Sequence, residues 1–430
     1  MADKTPTAPG RALASFLTRE RIDELARALG VLKRERKVDL TALVWTLTLA
    51  FQVGTSRTIE GLRVTYQRVA GHTIARSAFY TRLTASLAEL LRRLAQEGID
   101  RLGASPTAPG GFLKGFKELL AIDSTVIGLH DLLASDFPGC RTNHTKAAAK
   151  LHMVMNAADG SPRHLRLTPE RTADTTPWQR VGKWLSGSLI LFDLGYYSFH
   201  LFDRIDQNGG YFLTRLKSNA NPTIRSANRV WRGRAVELEG KKLQTVLKEI
   251  QRDVLDVEAE VAFKGRAYRR VRKIRRRPFR LIGIRNAETG NYHLYITNVP
   301  PERLSAEDIT RTYALRWQVE LLFKAMKQHG NLDQLPSSNR PVVECLIWAS
   351  VLSSLASQIV YRLVKTKLTD GRHIPPLRWA ALFSRNALAL LSVTLKLDSR
   401  EDHALDLLLI KEAPDPNLRR KSPVQTRALC

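Results

Sequence analysis

Cysteine is scarce in this 430-residue chain: Cys140, Cys345 and Cys430 stand far apart and none has a CxxC partner. That argues against a zinc site and against a disulfide framework, and it implies a reducing, cytosolic setting. Acid is short relative to base. Lys plus Arg number 68 against 41 Asp plus Glu, a formal excess of +27. Such an excess points to a polyanionic partner, because each neutralised phosphate releases counterions. Taken alone it would also suit a ribosome-associated or heparin-like binder. Long apolar runs are missing too: the longest uncharged stretch, residues 345–361, carries four serines and a glutamine. It reads as a buried helix and not as a membrane span. The opening MADKTPTAPG has no basic-then-apolar signal segment. These absences predict a cytoplasmic protein with no membrane partner. No internal repeat is visible.

What is present organises around residues 305–330, SAEDITRTYALRWQVELLFKAMKQHG. Ser305 with Asp308 makes a capping-box start, and Gly330 stands where a helix end favours glycine. The stretch predicts one helix of about seven turns. At 100° per residue, Tyr313, Arg316, Glu320 and Lys327 fall within roughly 60° of one another, with Leu315, Val319, Leu322 and Met326 on the far side. A solvated face with an Arg316–Glu320 pair would give the same stripe.

The rest of the chain favours a site. Asp123 in ELLAIDSTVIGL and Asp193 in SLILFDLGYYS each end an apolar, strand-like run, where a carboxylate is costly unless it binds something. The spacing Tyr-x2-Arg-x3-Glu-x6-Lys, together with these two aspartates upstream, resembles the signature of the IS4 family of DDE transposases. The likeness covers residues 119–331.

That resemblance implies an α/β fold: an RNase H-like catalytic core interrupted by a β-rich insertion, with an all-α N-terminal domain and a helical C-terminal region. It implies catalytic and metal-binding roles for Asp123, Asp193 and Glu320, which would hold two Mg²⁺ or Mn²⁺ ions. It gives Tyr313, Arg316 and Lys327 to DNA phosphate. The partners it implies are double-stranded DNA, as inverted-repeat ends and as target, and a second protomer in the synaptic complex. The function expected is a cut-and-paste transposase of an insertion sequence, with a hairpin at the element's end. A stand-alone metal-dependent nuclease of the same core and an inactive DNA-binding descendant are the rivals.

Along the chain, residues 1–102 read as a helical, DNA-binding N-terminal domain. Within it, helices joined by the Gly71 turn have helix-turn-helix spacing. The second would begin near Ile74 and present Arg76, Ser77, Tyr80 and Arg82 to DNA; an ordinary antiparallel helix pair fits equally. Residues 103–111, GASPTAPGG, are a linker.

The core's first part follows over 112–217. Strands are expected at 119–129, 150–156, 164–167, 189–193 and 210–217, and helices at 175–185 and 198–207. Residues 218–303 form the basic β-rich insertion. In it, 263–280 hold ten Lys or Arg in eighteen positions and no acid, a run expected to face solvent or phosphate. A hairpin around NAETGN joins 280–285 to 292–297. Relatives carry there an aromatic that stacks on a flipped base. Tyr292, His293 and, more distantly, Trp231 are the positions to consider, against plain cross-strand packing for Tyr292. Residues 304–338 complete the core, 339–412 form the helical C-terminal region with a possible dimerisation role, and 413–430 are a basic tail.

Overall fold

The structure is a computed structural model, and it describes all residues except 1–7, 33–37, 55–56, 141–145, 179–180, 230–236, 265–272, 369–371, 397 and 418–430. The N-terminal part is helical: α1 Pro9–Phe16, α2 Arg19–Ala28, α3 Leu40–Trp45 with a π-helical turn Thr46–Ala50, α4 Ile59–Ala70, α5 Arg76–Tyr80 and α6 Ala85–Ala104. Gly71 caps α4 at φ 71°, a conformation that glycine adopts without a Cβ clash. The expected long second helix is two. After the five residues of α5 the chain turns, and Thr84 begins α6 by accepting a hydrogen bond from the Leu87 amide at 3.2 Å.

The middle of the chain is built from β1 Leu119–Leu129, β2 Ala147–Asn156, β3 Pro162–Pro169, β4 Leu189–Phe192, α7 Phe199–Gln207, β5 Tyr211–Arg215, β6 Thr223–Ala227, α8 Leu243–Glu249, β7 Val254–Lys264, β8 Ile274–Arg285 and β9 Tyr292–Thr297. All nine strands form one sheet in the order β3-β2-β1-β4-β5-β9-β8-β7-β6. The basic insertion thus extends the same sheet, because β9 lies antiparallel against β5. β1, β4 and β5 are parallel. The expected helix at 175–185 is replaced by two short 3-10 turns, Thr176–Trp178 and Lys183–Leu185. Pro177 lacks an amide donor and Gly182 weakens a helix interior, so the period alone misleads there.

Alternation along the strands divides the core between the two faces. On one face Leu119, Ala121, Leu151, Met153, Leu189 and Leu191 join the helices. On the other, Leu120, Ile122, Ile190 and Phe192 meet Phe202 and Ile205 of α7 and the inner residues of β7 and β8.

The chain closes with α9 Ala306–Tyr313, α10 Trp317–Gln328, α11 Arg340–Lys367, α12 Pro376–Arg385, α13 Ala387–Lys396 and α14 Ser399–Glu412. Helices on both sides of residues 103–111 share one core: Leu13, Phe16, Leu94 and Ile99 pack with Leu352, Leu355 and Leu390. Among the described residues, α11 is long and apolar enough to cross a membrane, but 72% of its most apolar window is buried in this core.

The expected seven-turn helix breaks into α9 and α10 at a 3-10 turn, Ala314–Arg316. One turn earlier the Thr312 hydroxyl donates to the Asp308 carbonyl at 2.8 Å, a back-bond that bends helices. The start is as expected: Ser305 Oγ accepts from the Asp308 amide at 3.2 Å and donates to the Asp308 carboxylate at 2.6 Å. At the other end the left-handed residue is Asn331, at φ 52°, and not Gly330. Asn331 is held there by donating from its side chain to the Phe51 carbonyl at 2.6 Å.

Candidate active site

Asp123 lies inside β1, not at its end as the apolar run suggested. The parallel pairing of β1 with β4 stops at Ile122 opposite Phe192. Asp123 and Asp193 are therefore the next residues on neighbouring strands, at one level of the sheet. Asp193 is exposed and opens a 3-10 turn, Leu194–Tyr196. Asp123 follows Leu119 and Ala121 onto the helical face, where Leu315 and Val319 also pack. That packing lays the 3-10 turn and the first turn of α10 over β1.

Arg316 and Glu320 come from those two turns. The Arg316 guanidinium donates to Glu320 Oε1 at 2.5 Å and stands 3.5 Å from Asp123 Oδ2. It is 14% exposed, and its Nε is buried without a hydrogen-bond partner. Asp123 Oδ1 accepts from the Ser124 amide at 2.8 Å. Burial pushes the Asp123 carboxyl up to about 6; the Ser124 amide and Arg316 oppose the rise, while Glu320 and Asp193 add to it. Burial likewise raises the Tyr313 phenol to about 12. Its ring meets Tyr295 edge-on at 5.4 Å, and the Arg316 guanidinium lies 5.9 Å from its centroid.

Asp123, Asp193, Glu320, Arg316 and Tyr313 thus converge. Lys327 is half-buried, almost two turns along α10 on the Glu320 side, and has no ion pair with a described residue. The other expected contacts stand apart from this cluster. Arg76, Ser77 and Tyr80 are exposed on α5, with Arg76 at 3.9 Å from Glu60. Arg82 falls beyond α5 and is partly buried. Tyr292 packs against the sheet and donates its hydroxyl to the Arg252 carbonyl. His293 is exposed, and Trp231 lies outside the described residues.

The described part of the basic run faces solvent as expected at Arg275 and Arg276, 54% and 68% exposed, and departs from the expectation at Arg280, which is buried. Residues 265–272 lie outside the described part, but the arginines of β8 face carboxylates. Arg275 and Arg277 pair with Asp203 at 2.9 and 2.6 Å, Arg276 pairs with Glu260 at 2.8 Å, and Arg280 is buried in a two-pronged pair with Asp256. Acids distant in sequence absorb these charges, which a count within the run could not foresee.

Sequence reasoning also missed Asp174. Its Oδ1 accepts from Ser124 Oγ at 3.0 Å and from Lys150 Nζ at 3.2 Å, directly beside the Asp123 position. The available signal was the alternation in AAAKLHMVMN, which puts Lys150 and His152 on one face of an otherwise apolar strand.

Among the described residues, no three His, Cys, Asp or Glu side chains stand close enough to hold a metal as they are placed. The donor chemistry of the site nevertheless fits a hard divalent cation. Three carboxylates lie on adjoining elements, Asp123 is raised by burial with a smaller push from Glu320 and Asp193, and Arg316 now occupies the cation's role between two of them. The carboxylates are not in a closed pocket. A cavity of about 500 Å³ lies on the opposite side of α10, lined by Gln318, Leu322, Met326 and His329 among others, and none of the acids borders it.

The sequence pattern of the transposase DDE domain family matches residues 114–356. The chain is 22% identical over 368 residues to the transposase for insertion sequence element IS231F of Bacillus thuringiensis subsp. israelensis, covering 79% of this chain and 77% of that one. To the IS231B transposase of Bacillus thuringiensis subsp. berliner it is 22% identical over 387 residues, covering 84% and 81%. Among solved structures, the piggyBac transposase synaptic complex with hairpin DNA superposes with a TM-score of 0.49 at 12% identity, over 97% of this chain and 88% of that one.

Proposed function

The chain belongs to the transposase DDE domain family and is a DNA transposase, and we propose that it is the cut-and-paste enzyme of an IS4-type insertion sequence. In this reading β1–β5 with α7 and α10 form an RNase H-like core, and Asp123, Asp193 and Glu320 are its catalytic acids. The observation that carries the reading is that Asp123 and Glu320 share one guanidinium, Arg316, with Asp193 near enough to act on the Asp123 carboxyl.

Asp123, Asp193 and Glu320 would hold the Mg²⁺ or Mn²⁺ ions. When bound, two such ions activate a water or a 3′-hydroxyl on one side of the phosphorus and stabilise the leaving oxygen on the other. The chain's own groups supply positioning. Arg316 sits where a DNA phosphate can draw its fork away from Asp123 and Glu320. Tyr313 offers a neutral hydroxyl donor, as any phenol does at physiological pH, and burial raises it further. Lys327 adds a point charge further along α10. Asp123 must lose its proton to serve as a ligand, so metal affinity, and with it activity at limiting metal, falls as pH drops through about 6. Helices α4 to α6 bind the inverted-repeat ends, and two protomers pair in the synaptic complex.

The test is incubation of the purified chain with a labelled DNA carrying the flanking inverted repeats and a plasmid target, in Mg²⁺ or EDTA. Metal-dependent 3′-end cleavage with joined products is the expected result. Cleavage without joining would make it a nuclease, and binding alone would make it an inactive descendant.

A further inference from the structure

Past Phe192 no backbone ladder connects the strand of Asp123 to the loop of Asp193. The β1–β4 pairing ends at that point, β1 runs on to Leu129, and the chain after Asp193 leaves as a 3-10 turn. Asp174 fills the gap. One of its oxygens accepts from the hydroxyl of Ser124, the residue directly after Asp123. The other lies against Gly195, two residues after Asp193, so close that a Cβ there would stand 3.1 Å from it.

Asp174 is itself fixed from β2. Lys150 Nζ, only 13% exposed as a side chain, donates to Asp174 and to the Thr172 carbonyl, both at 3.2 Å. His152, fully buried, places Nδ1 3.8 Å from the same Asp174 oxygen and shares a hydrogen bond with the Thr168 hydroxyl through Nε2. Ser124 and His152 are register partners, and Lys150 lies two residues along on the same sheet face. By alternation that face is the one away from Asp123. Asp174 therefore bonds to β1 on the face away from Asp123, and it ties the residue after one aspartate to the loop after the other.

We propose that Asp174 is a positioning residue that sets the separation of Asp123 and Asp193, and through it the site's affinity for a divalent cation. The proposal rests on the three-carboxylate reading above. Groups that orient ligands from behind shift metal affinity by roughly 10- to 100-fold when removed. A mere loop anchor would change stability and leave the metal dependence alone.

Two variants separate these roles in the full chain. Asp174→Asn keeps the shape and an acceptor but removes the charge facing Lys150. Ser124→Ala cuts the link to β1 and leaves no charge unpaired, so it decides the matter if Asp174→Asn fails to fold. Mn²⁺ binding is read from the free-ion EPR signal, alongside the Mn²⁺ concentration that gives half-maximal cleavage. Each folded variant is expected to need about 10-fold more Mn²⁺ by both readouts, with the double variant no worse than the weaker single. Wild-type Mn²⁺ dependence in folded Ser124→Ala would overturn the proposal. Asp123→Asn is measured in parallel: wild-type binding and cleavage there would instead overturn the three-carboxylate reading.

Discussion

Two regions of the one sheet treat charge in opposite ways. On β8, Arg275, Arg276, Arg277 and Arg280 each face a carboxylate, and Arg280 with Asp256 is almost wholly buried, 3% exposed on both sides. The Arg280 fork is completed by the Val299 and Leu304 carbonyls at 3.1 and 2.7 Å. Every donor of that group aimed into the core has an acceptor, so the pair fixes how the insertion strands join the segment leading to α9. Where β1 and β4 part, Arg316 stands between two carboxylates, Asp123 and Glu320, with Asp193 nearby, and burial pushes Asp123 toward its neutral form. Balanced charge marks the part that holds shape; under the proposed function, unbalanced charge marks the part that would take a cation.

The largest effect should come from the unbalanced region. Glu320→Ala is expected to bring cleavage below detection while gel-shift binding to the element's ends stays near wild type; strand transfer at the normal rate would sink the assignment. In the balanced region the loss should appear as stability. Arg280→Ala leaves Asp256 buried and unpaired and should cost about 3–5 kcal/mol in denaturant unfolding, and adding Asp256→Leu to Arg280→Met should restore most of it. Equal stability of Arg280→Ala and wild type would remove the contrast. The smallest effect is expected at the rim of the same strand. Arg276 is 68% exposed where it pairs with Glu260, so Arg276→Ala should change stability by less than about 1 kcal/mol.

Much of this was legible in the residues because it is local. The apolar run ELLAIDSTVIGL gives β1 at the bounds expected from it, and the NAETGN turn gives the β8–β9 hairpin, with Asn286 accepting from the Glu288 and Thr289 amides. The grouping of Asp123, Asp193 and Glu320 was expected from the resemblance that their order and the Tyr-Arg-Glu-Lys stripe carry, and the structure brings Asp123 and Glu320 to one guanidinium. What stayed hidden depends on partners far along the chain. Nothing near Asp174 says that it will reach Ser124 and Gly195, fifty residues before and twenty-one after it. Nothing in the run 263–280 says that Asp203 and Asp256 will meet its arginines. The break at Ala314–Arg316 was hidden for a related reason. The residues there are good helix formers, and the local propensity was overridden by the Thr312 back-bond and by the packing of Tyr313 and Arg316 over β1.

The central claim is that the β1–β4 end is short of positive charge and that a divalent cation makes up the shortage. It is tested most directly by unfolding the metal-free chain between pH 4 and 7, beside Asp123→Asn, with and without Mn²⁺. A carboxyl raised to about 6 in the folded state binds more protons there than in the unfolded chain, so its contribution to stability falls as pH rises through that window. The account predicts that wild type loses roughly 2 kcal/mol relative to Asp123→Asn between those limits, and that Mn²⁺ at pH 7 offsets the loss in wild type only. Parallel pH curves for the two proteins, or an equal response to Mn²⁺, would contradict it.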